Sequence, residues 1–256
     1  MEAIFSCRDI SKRYEGRPVV SGVSLDLYPG GFISLLGHSG VGKTTLFNVL
    51  AGVARPDGGR VYLSGEDVTG VSGRLSYMPQ KDLLLEYRTV LDNVILPLVI
   101  RRTPRKEARR FAAGYFPRFG LAGCENYFPR QLSGGERQRA ALLRTCMMNN
   151  PVILLDEPFS ALDAITRLRM RRWYREIAAG MKLSTFFITH DVDEALLFSD
   201  TVYIMTGSPG EITRRLDIAP VRARTGDFPI SPEYASFKKE ILSSLNLTPD
   251  LMITVR

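Results

Sequence analysis

One stretch of the sequence has the residue types and the spacing that suit phosphate binding. Residues 37–44 read Gly-His-Ser-Gly-Val-Gly-Lys-Thr, the pattern G-x-x-x-x-G-K-T. In such a loop the glycines allow backbone N–H groups to point at phosphate oxygens, and the following helix presents its positive end to them. Lys43 is then placed to reach the β- and γ-phosphates of a nucleotide, and the Thr44 hydroxyl to ligate Mg²⁺. The motif predicts a binding site for a nucleoside triphosphate.

The residues on either side of this loop predict the elements that hold it. Residues 31–36 form an apolar run that suits a buried strand, and residues 45–51 have the apolar spacing of a helix. The loop therefore lies between a strand and a helix, which is the context that a phosphate-binding loop needs.

A second apolar run ends in two adjacent carboxylates. Residues 151–155 read Pro-Val-Ile-Leu-Leu and are followed by Asp156 and Glu157. An unbroken apolar run is typical of a strand buried on both faces of a parallel sheet, and ligands bind at the carboxyl ends of such strands. Asp156 is placed to hold Mg²⁺ through water, and Glu157 to orient or deprotonate an attacking water. The alternative is a strand that ends in a solvated acidic turn.

Three further polar or aromatic residues lie at predicted strand ends. Gln80 is the polar end of a predicted strand over residues 75–80, where it could contact Mg²⁺ or the attacking water, and His190 follows the β-rich run 184–189. Tyr14 lies between the first two predicted strands, where its ring could stack on a flat base. Each has an ordinary structural alternative, because loop tyrosines and isolated histidines are common.

The segment Leu-Ser-Gly-Gly-Glu, residues 132–136, opens a predicted helix. Ser133 and Glu136 have the spacing of a capping box, which needs no ligand. A capping box does not require Gly134 and Gly135, however, and glycines destabilise a helix. The sequence therefore also indicates a second anion site at this helix N-terminus.

The order of the predicted elements indicates an α/β fold. Residues 3–36 are rich in strands, the middle of the chain is helical, and strands return after residue 183. We expect a single domain over residues 1–256, with a helical subdomain inserted at about 81–145 and a C-terminal loop and helix at 220–256. In the basic helical stretch 104–119, Phe111, Tyr115 and Phe119 are expected to face a core, and a last helix is expected near 236–245.

Composition limits the classes of function. The three cysteines lack metal-ligand spacing and indicate reduced thiols, and the first residues do not resemble a signal peptide. The apolar residues 90–100 are interrupted by polar residues and proline and are too short to span a bilayer. The net charge of +7 allows anionic partners, among them nucleotides, nucleic acids and acidic membranes.

In their order along the chain, the phosphate loop, Gln80, the segment LSGGERQR, the segment VILLDE and His190 resemble the ATP-binding subunit of ABC transporters. The resemblance covers residues from about 5 to 212. It implies an α/β P-loop NTPase core with a mixed or parallel sheet, an N-terminal antiparallel β subdomain and an inserted helical subdomain. It also implies binding of ATP and Mg²⁺ and hydrolysis of ATP.

The resemblance assigns a role to each matching residue. Glu157 would be the general base and Asp156 the Mg²⁺ aspartate, while Gln80 would sense Mg²⁺ and couple to a membrane partner. His190 would contact the γ-phosphate, and Tyr14 would stack on adenine. The remaining nucleotide contacts would come from the phosphate loop (Gly37, His38, Ser39, Gly40, Val41, Gly42, Lys43, Thr44 and Thr45), from the signature segment (Ser133, Gly134, Gly135 and Glu136) and from Asp163 in a loop that crosses a dimer interface.

Further segments resemble one group of importers. Residues 80–85, 88–94, 208–210 and 228–234 are similar to those of nitrate, sulfonate and taurine importers, and importers of thiamine-pyrimidine precursors are close competitors. The resemblance implies a homodimer at the cytoplasmic face of the membrane. The dimer would act with integral permease subunits and, indirectly, an extracytoplasmic solute-binding protein.

Three other kinds of protein could carry these motifs. A nucleic-acid-processing ATPase would suit the basic charge, but such proteins carry a long coiled coil between the phosphate loop and the signature, and heptads are absent here. A translation-factor ATPase would carry two cassettes. A scaffold with a decayed site would be expected to have lost Lys43, Asp156, Glu157 or His190. We therefore expect no nucleic-acid partner.

Overall fold

A computed structural model describes residues 2–160, 164–218 and 227–245 of the chain. They divide into two units, Met1–Arg74 with Ser184–Arg256, and Leu75–Leu183. The first unit begins with β1 (Phe5–Tyr14), β2 (Arg17–Leu27), β3 (Phe32–Gly37), α1 (Lys43–Leu50), β4 (Gly58–Leu63) and β5 (Glu66–Asp67). The second contains β6 (Ser76–Met78), α2 (Val90–Val94), α3 (Leu96–Ile100), α4 (Arg105–Ala113), α5 (Gly134–Cys146), β7 (Val152–Asp156) and α6 (Ala164–Gly180). The first unit resumes with β8 (Ser184–Thr189), α7 (Val192–Phe198), β9 (Thr201–Thr206), β10 (Glu211–Asp217) and α8 (Pro232–Ser244).

The first unit contains an antiparallel sheet of order β2-β1-β4-β5. Phe5 in its central strand lies opposite Leu27 on one side and Leu63 on the other, and all three side chains are buried. The alternating apolar residues of β1 and β2 place one face against the core. The antiparallel N-terminal sheet is thus observed as expected.

The same unit also contains parallel strands. β3 lies between β8 and β9 and is parallel to both, and β10 pairs antiparallel with β9. All but the first residue of β3 and every residue of β8 are buried, as continuous apolar runs require. Phe47 of α1 packs edge to face on Phe186 of β8, with ring centroids 4.7 Å apart.

The second unit contains two parallel strands and most of the helices. β6 pairs with β7, with Met78 opposite Leu155, and β7 is buried along its whole length. Thr89 caps α2, because its side chain accepts a hydrogen bond from the Asp92 backbone N–H. No helix in the described part of the chain combines the length and apolar character needed to cross a bilayer.

The structure corrects two expectations about helices. Phe111 is 51% exposed, and the core side of α4 is formed by Ala108 and Ala112. Phe119 is buried as expected, and Tyr115 is half-buried. Because α4 ends at Ala113, the spacing of Phe111 and the later aromatic residues does not continue along one helix face. The last helix begins at Pro232 rather than near 236, because Ser231 caps it and proline suits its first position.

Candidate functional site

The phosphate loop connects β3 to α1 in the first unit. Gly40 and Gly42 have φ angles of 81° and 108°, which favour glycine. A Cβ atom on Gly37 would lie 2.5 Å from the Met205 carbonyl oxygen, and one on Gly42 would lie 2.9 Å from that of Val19. The motif glycines are therefore required by backbone conformation and by close packing.

Lys43 is the first residue of α1 and is nearly buried. Its Nζ atom donates hydrogen bonds to the backbone carbonyl oxygens of Gly37 and His38, both at 2.8 Å. The ammonium group thus lies within the curve of the loop. A phosphate bound there would meet this cation and the positive end of α1 together.

The other loop residues are largely accessible. His38, Ser39 and Gly40 are exposed, Val41 is half-buried, and Thr44 is exposed in the first turn of α1, followed by the half-buried Thr45. Tyr14 ends β1 and is 47% exposed, with Lys12 Nζ 5.3 Å from its ring centroid. An aromatic ring that is held at a strand end and open to solvent suits stacking on a nucleotide base.

His190 lies at the same end of the sheet as the phosphate loop. β3 and β8 are parallel neighbours with Leu36 opposite Thr189. Gly37 and His190 are the residues directly after this pair. The turn that carries His190 is held by hydrogen bonds on both sides. Thr189 Oγ1 donates to the Glu194 carboxylate and accepts from Asp191 N–H at 3.0 Å, and Asp191 caps α7. Sequence analysis missed this support, although Asp191 and Glu194 have the spacing of a capped helix start.

The second unit brings Gln80 and Glu157 together. The parallel pairing of β6 and β7 places both residues beyond the carboxyl ends of neighbouring strands. Gln80 Nε2 donates to Glu157 Oε2 at 3.1 Å. Asp156 is the buried last residue of β7, and burial, reinforced by the Asp156 charge, raises the pKa of Tyr77. The two carboxylates and the glutamine amide thus lie at one sheet edge.

The capping box at the start of α5 is formed. Ser133 Oγ accepts from Glu136 N–H at 3.3 Å, and Glu136 Oε2 accepts from Ser133 N–H at 2.8 Å and from its hydroxyl at 2.7 Å. The hydrogen bonds from the Ser133 hydroxyl and N–H lower the pKa of Glu136. A Cβ atom on Gly134 would meet no heavy atom within 4 Å among the described residues. Packing within the described chain therefore does not explain this glycine. Asp163 lies outside the described residues.

An ion-pair network that the sequence analysis did not identify joins the segment after Gln80 to α5. Arg137 Nε donates to Asp82 at 2.9 Å, and its Nη2 donates to Glu86 at 2.7 Å. Seven residues later on α5, Arg144 donates to the backbone carbonyl oxygens of Asp82 and Leu83. The sequence feature that could have predicted this network is the seven-residue spacing of the two arginines, which places them on one helix face. Burial opposes ionisation of Asp82, but its hydrogen bonds, those from Arg137 first, outweigh burial and lower the pKa of its carboxyl.

A buried asparagine also shapes this segment. Asn93 of α2 accepts from Leu85 N–H at 2.7 Å and donates to the carbonyl oxygens of Leu85, Arg88 and Thr89 at 3.0–3.2 Å. These bonds fix the backbone between Gln80 and α2. Among the described residues, no group of three His, Cys, Asp or Glu side chains could hold a metal ion by itself.

Comparisons with known proteins place this site in a family context. Residues 20–160 match the ABC transporter family. A formylaminopyrimidine import ATP-binding protein from Halalkalibacterium halodurans is 36% identical over 96% of this chain and 97% of its own length. An aliphatic sulfonates import ATP-binding protein from Rhodococcus jostii is 40% identical over 92% of this chain and 91% of its own. A solved dimeric bacterial ABC transporter cassette has a TM-score of 0.74 at 27% identity, covering 84% of this chain and 98% of that one.

Proposed function

Because this chain belongs to the ABC transporter family, we propose that it binds and hydrolyses ATP to energise solute import through a separate membrane permease. The observation that carries the proposal is the preformed phosphate loop of the first unit, and the second unit separately provides an acidic strand end. Lys43 Nζ lies inside the loop, 2.8 Å from two of its carbonyl oxygens, and Glu157 lies 3.1 Å from Gln80.

Each side chain has a defined task in this proposal. Lys43 and the start of α1 bind the β- and γ-phosphates. Glu157 orients and deprotonates the attacking water, and Gln80 holds the Glu157 carboxylate in position. His190 contacts the γ-phosphate from the neighbouring strand, and Tyr14 stacks on adenine. Asp163, which lies outside the described residues, would contact the nucleotide across the dimer interface, as the resemblance implies.

The donor atoms available to Mg²⁺ fit the ion. The cation would be held by the Thr44 hydroxyl, the Gln80 amide oxygen and the Asp156 carboxylate, which are hard oxygen ligands. Mg²⁺ is usually bound by one or two carboxylates together with substrate phosphates. When bound, the ion would neutralise charge on the transferred phosphoryl group.

The solute and the partners are inferred from the relatives. Their names specify import of formylaminopyrimidine, aliphatic sulfonates and taurine, so we propose a sulfonate-like or nitrate-like anion or a thiamine-pyrimidine precursor as the solute. The ATPase would act as a homodimer at the cytoplasmic face of the membrane. Permease subunits and an extracytoplasmic solute-binding protein would select the solute. The relatives are transport proteins, and nucleic-acid processing is not proposed.

Two substitutions test the assignment of ATP binding and hydrolysis. Lys43→Ala removes the loop cation and should weaken ATP binding, whereas Glu157→Gln should bind ATP but lose turnover, because an amide cannot accept the proton from water. Equilibrium binding and steady-state hydrolysis with Mg²⁺ separate the two effects. Lys106→Ala and Glu176→Gln change the same residue types at exposed positions and serve as matched controls. Near-normal turnover in Glu157→Gln would remove this residue from the role of base.

A further inference from the structure

A side chain of the phosphate loop is bonded to the C-terminal helix. His38 Nε2 lies 2.9 Å from the carbonyl oxygen of Leu245, a residue 207 positions away that caps α8. Since a carbonyl oxygen can only accept, Nε2 carries the proton. The backbone carbonyl of His38 accepts from Lys43 Nζ at 2.8 Å. His38 therefore joins the loop lysine to the end of α8.

α8 shares a buried cluster with α7 and with β3, the strand before the loop. Its residues Ile241 and Leu245 belong to one buried cluster with Leu36, the residue before Gly37. At its other end, the Tyr234 hydroxyl and Lys238 Nζ bond to Asp193 in the first turn of α7, three residues after His190. The same helix thus contacts the phosphate loop and the turn that carries His190.

We propose that His38 is a positioning residue through which α8 sets the conformation of the phosphate loop, so that ATP binding and the seating of the last turn of α8 are coupled. The proposal rests on the function above, since it takes ATP as the occupant of the loop. A phosphate bound by the loop N–H groups and Lys43 orders the loop backbone, and with it His38, in the conformation that bonds to Leu245. Occupation of the loop therefore strengthens the restraint on the last turn of α8.

Coupling of this kind is reciprocal. If ATP makes the last turn of α8 open less often, anything that displaces that turn must weaken ATP binding by the same factor. Displacement of this turn would then lower ATP affinity from outside the nucleotide site. A net hydrogen-bond contribution of about 1 kcal/mol corresponds to a change of about fivefold.

Hydrogen exchange of the amides of residues 241–245, with and without ATP and Mg²⁺, tests the coupling. In the unmodified chain we expect ATP to slow exchange in this turn about fivefold. His38→Ala should abolish the ATP-dependent change and weaken ATP binding by a similar factor. His38→Gln retains an N–H donor and should restore both. Lys239→Ala alters an exposed residue of α8 outside the nucleotide site and should preserve the response.

The outcomes separate this inference from the proposed function. If the unmodified chain does not bind ATP in equilibrium dialysis, the proposed function fails. If ATP binds but exchange at residues 241–245 does not change, the coupling is wrong and the ATPase assignment stands. If His38 has only a structural role, His38→Ala would lower the melting temperature but leave the ATP-dependent protection of α8 intact. If His38→Ala does not fold, the measurement on the unmodified chain decides the question by itself.

Discussion

Glu157 has a left-handed backbone conformation with φ of 49°, which residues other than glycine seldom adopt. Such strain costs about 1–3 kcal/mol and is concentrated at functional sites. It occurs directly after the fully buried β7, where the chain must turn while the carboxylate reaches Gln80 at 3.1 Å. The position of the proposed base is thus determined by backbone geometry as well as by its hydrogen bond.

The thiols permit a prediction at the same scale. Burial raises the pKa values of Cys7 and Cys146 to about 12 and also raises that of Cys124. At pH 8 a pKa of 12 leaves about one thiol in 10,000 as the reactive thiolate. We expect the native chain to resist iodoacetamide at pH 8 and the denatured chain to take up three labels, as counted by intact mass. Cys124, the most exposed of the three, should react first; faster labelling of Cys7 would contradict this account.

At the scale of elements, the ion pair between Asp82 and Arg137 connects the segment after Gln80 to α5. Because the folded pKa of Asp82 lies below its ordinary value of 3.8, the carboxylate stabilises the folded state above that pH. This contribution is lost as pH falls through the lower folded pKa. Asp82→Asn should therefore lower the melting temperature at pH 7, and the difference from the unmodified chain should narrow below about pH 4.

Thermal denaturation from pH 3 to 7 measures this difference. Glu107→Gln removes a carboxylate from an exposed position of α4 in the same unit and should leave the melting temperature close to that of the unmodified chain at every pH. A difference between Asp82→Asn and the unmodified chain that stayed constant down to pH 3 would show that the Asp82 charge is not responsible.

The surface near Gln80 offers an element-scale test of permease docking. The apolar run at residues 83–85 suggests contact with a partner, but Leu84 is only 6% exposed, so a charge there would disrupt the core. The exposed large apolar side chains of this segment are Leu83, at 58%, and Tyr87, at 76%. Leu83→Asp and Tyr87→Asp should reduce ATP-driven transport by the reconstituted complex and largely preserve the ATPase activity of the isolated chain. Phe111→Asp is the control, since Phe111 is exposed on α4; unchanged transport and co-purification in the first two variants would exclude the docking site.

At the scale of the whole molecule, two helix starts that the sequence predicts to bind anions need one explanation. The phosphate loop precedes α1, and Ser133 with Gly134 starts α5, where a Cβ atom on Gly134 would meet only open space within the described chain. A glycine costs about 1 kcal/mol in a helix relative to alanine, so close approach from outside the chain is the favoured reason for it. An isologous homodimer would place the signature segment of one subunit on the nucleotide of the other.

Cross-linking tests this arrangement. In a chain without Cys7, Cys124 and Cys146 and with Glu157→Gln to retain ATP, Ser39→Cys and Ser133→Cys should form a disulfide between two subunits when ATP is present. A disulfide requires Cα atoms within about 7 Å, so a dimer band on a non-reducing gel reports close approach. Either cysteine substitution alone is the control. A disulfide within one chain would show that both segments serve one nucleotide in the monomer.

The sequence by itself determined the features that depend on local pattern. The phosphate loop, the buried strand before Asp156 and the capping box at Ser133 all have the expected form. Glycine spacing, apolar runs and capping residues act through the backbone within a few positions, so these elements can be predicted without knowledge of the fold. The resemblance to ABC transporter ATPases, drawn from the order of these motifs, is confirmed, as is the α/β P-loop fold. The assignments of individual site residues stay predictions.

The tertiary structure decided what depends on distant residues. It showed that Leu83 rather than Leu84 is exposed, paired Asp82 with Arg137 across 55 positions, and joined His38 to Leu245 across 207. These contacts form only when the packing of strands and helices brings distant loops together. The short sequence patterns around each residue do not specify which loops those are. Side-chain burial and ion pairing therefore became known only with the fold, because packing determines which face of a short segment points inward and which charge it meets.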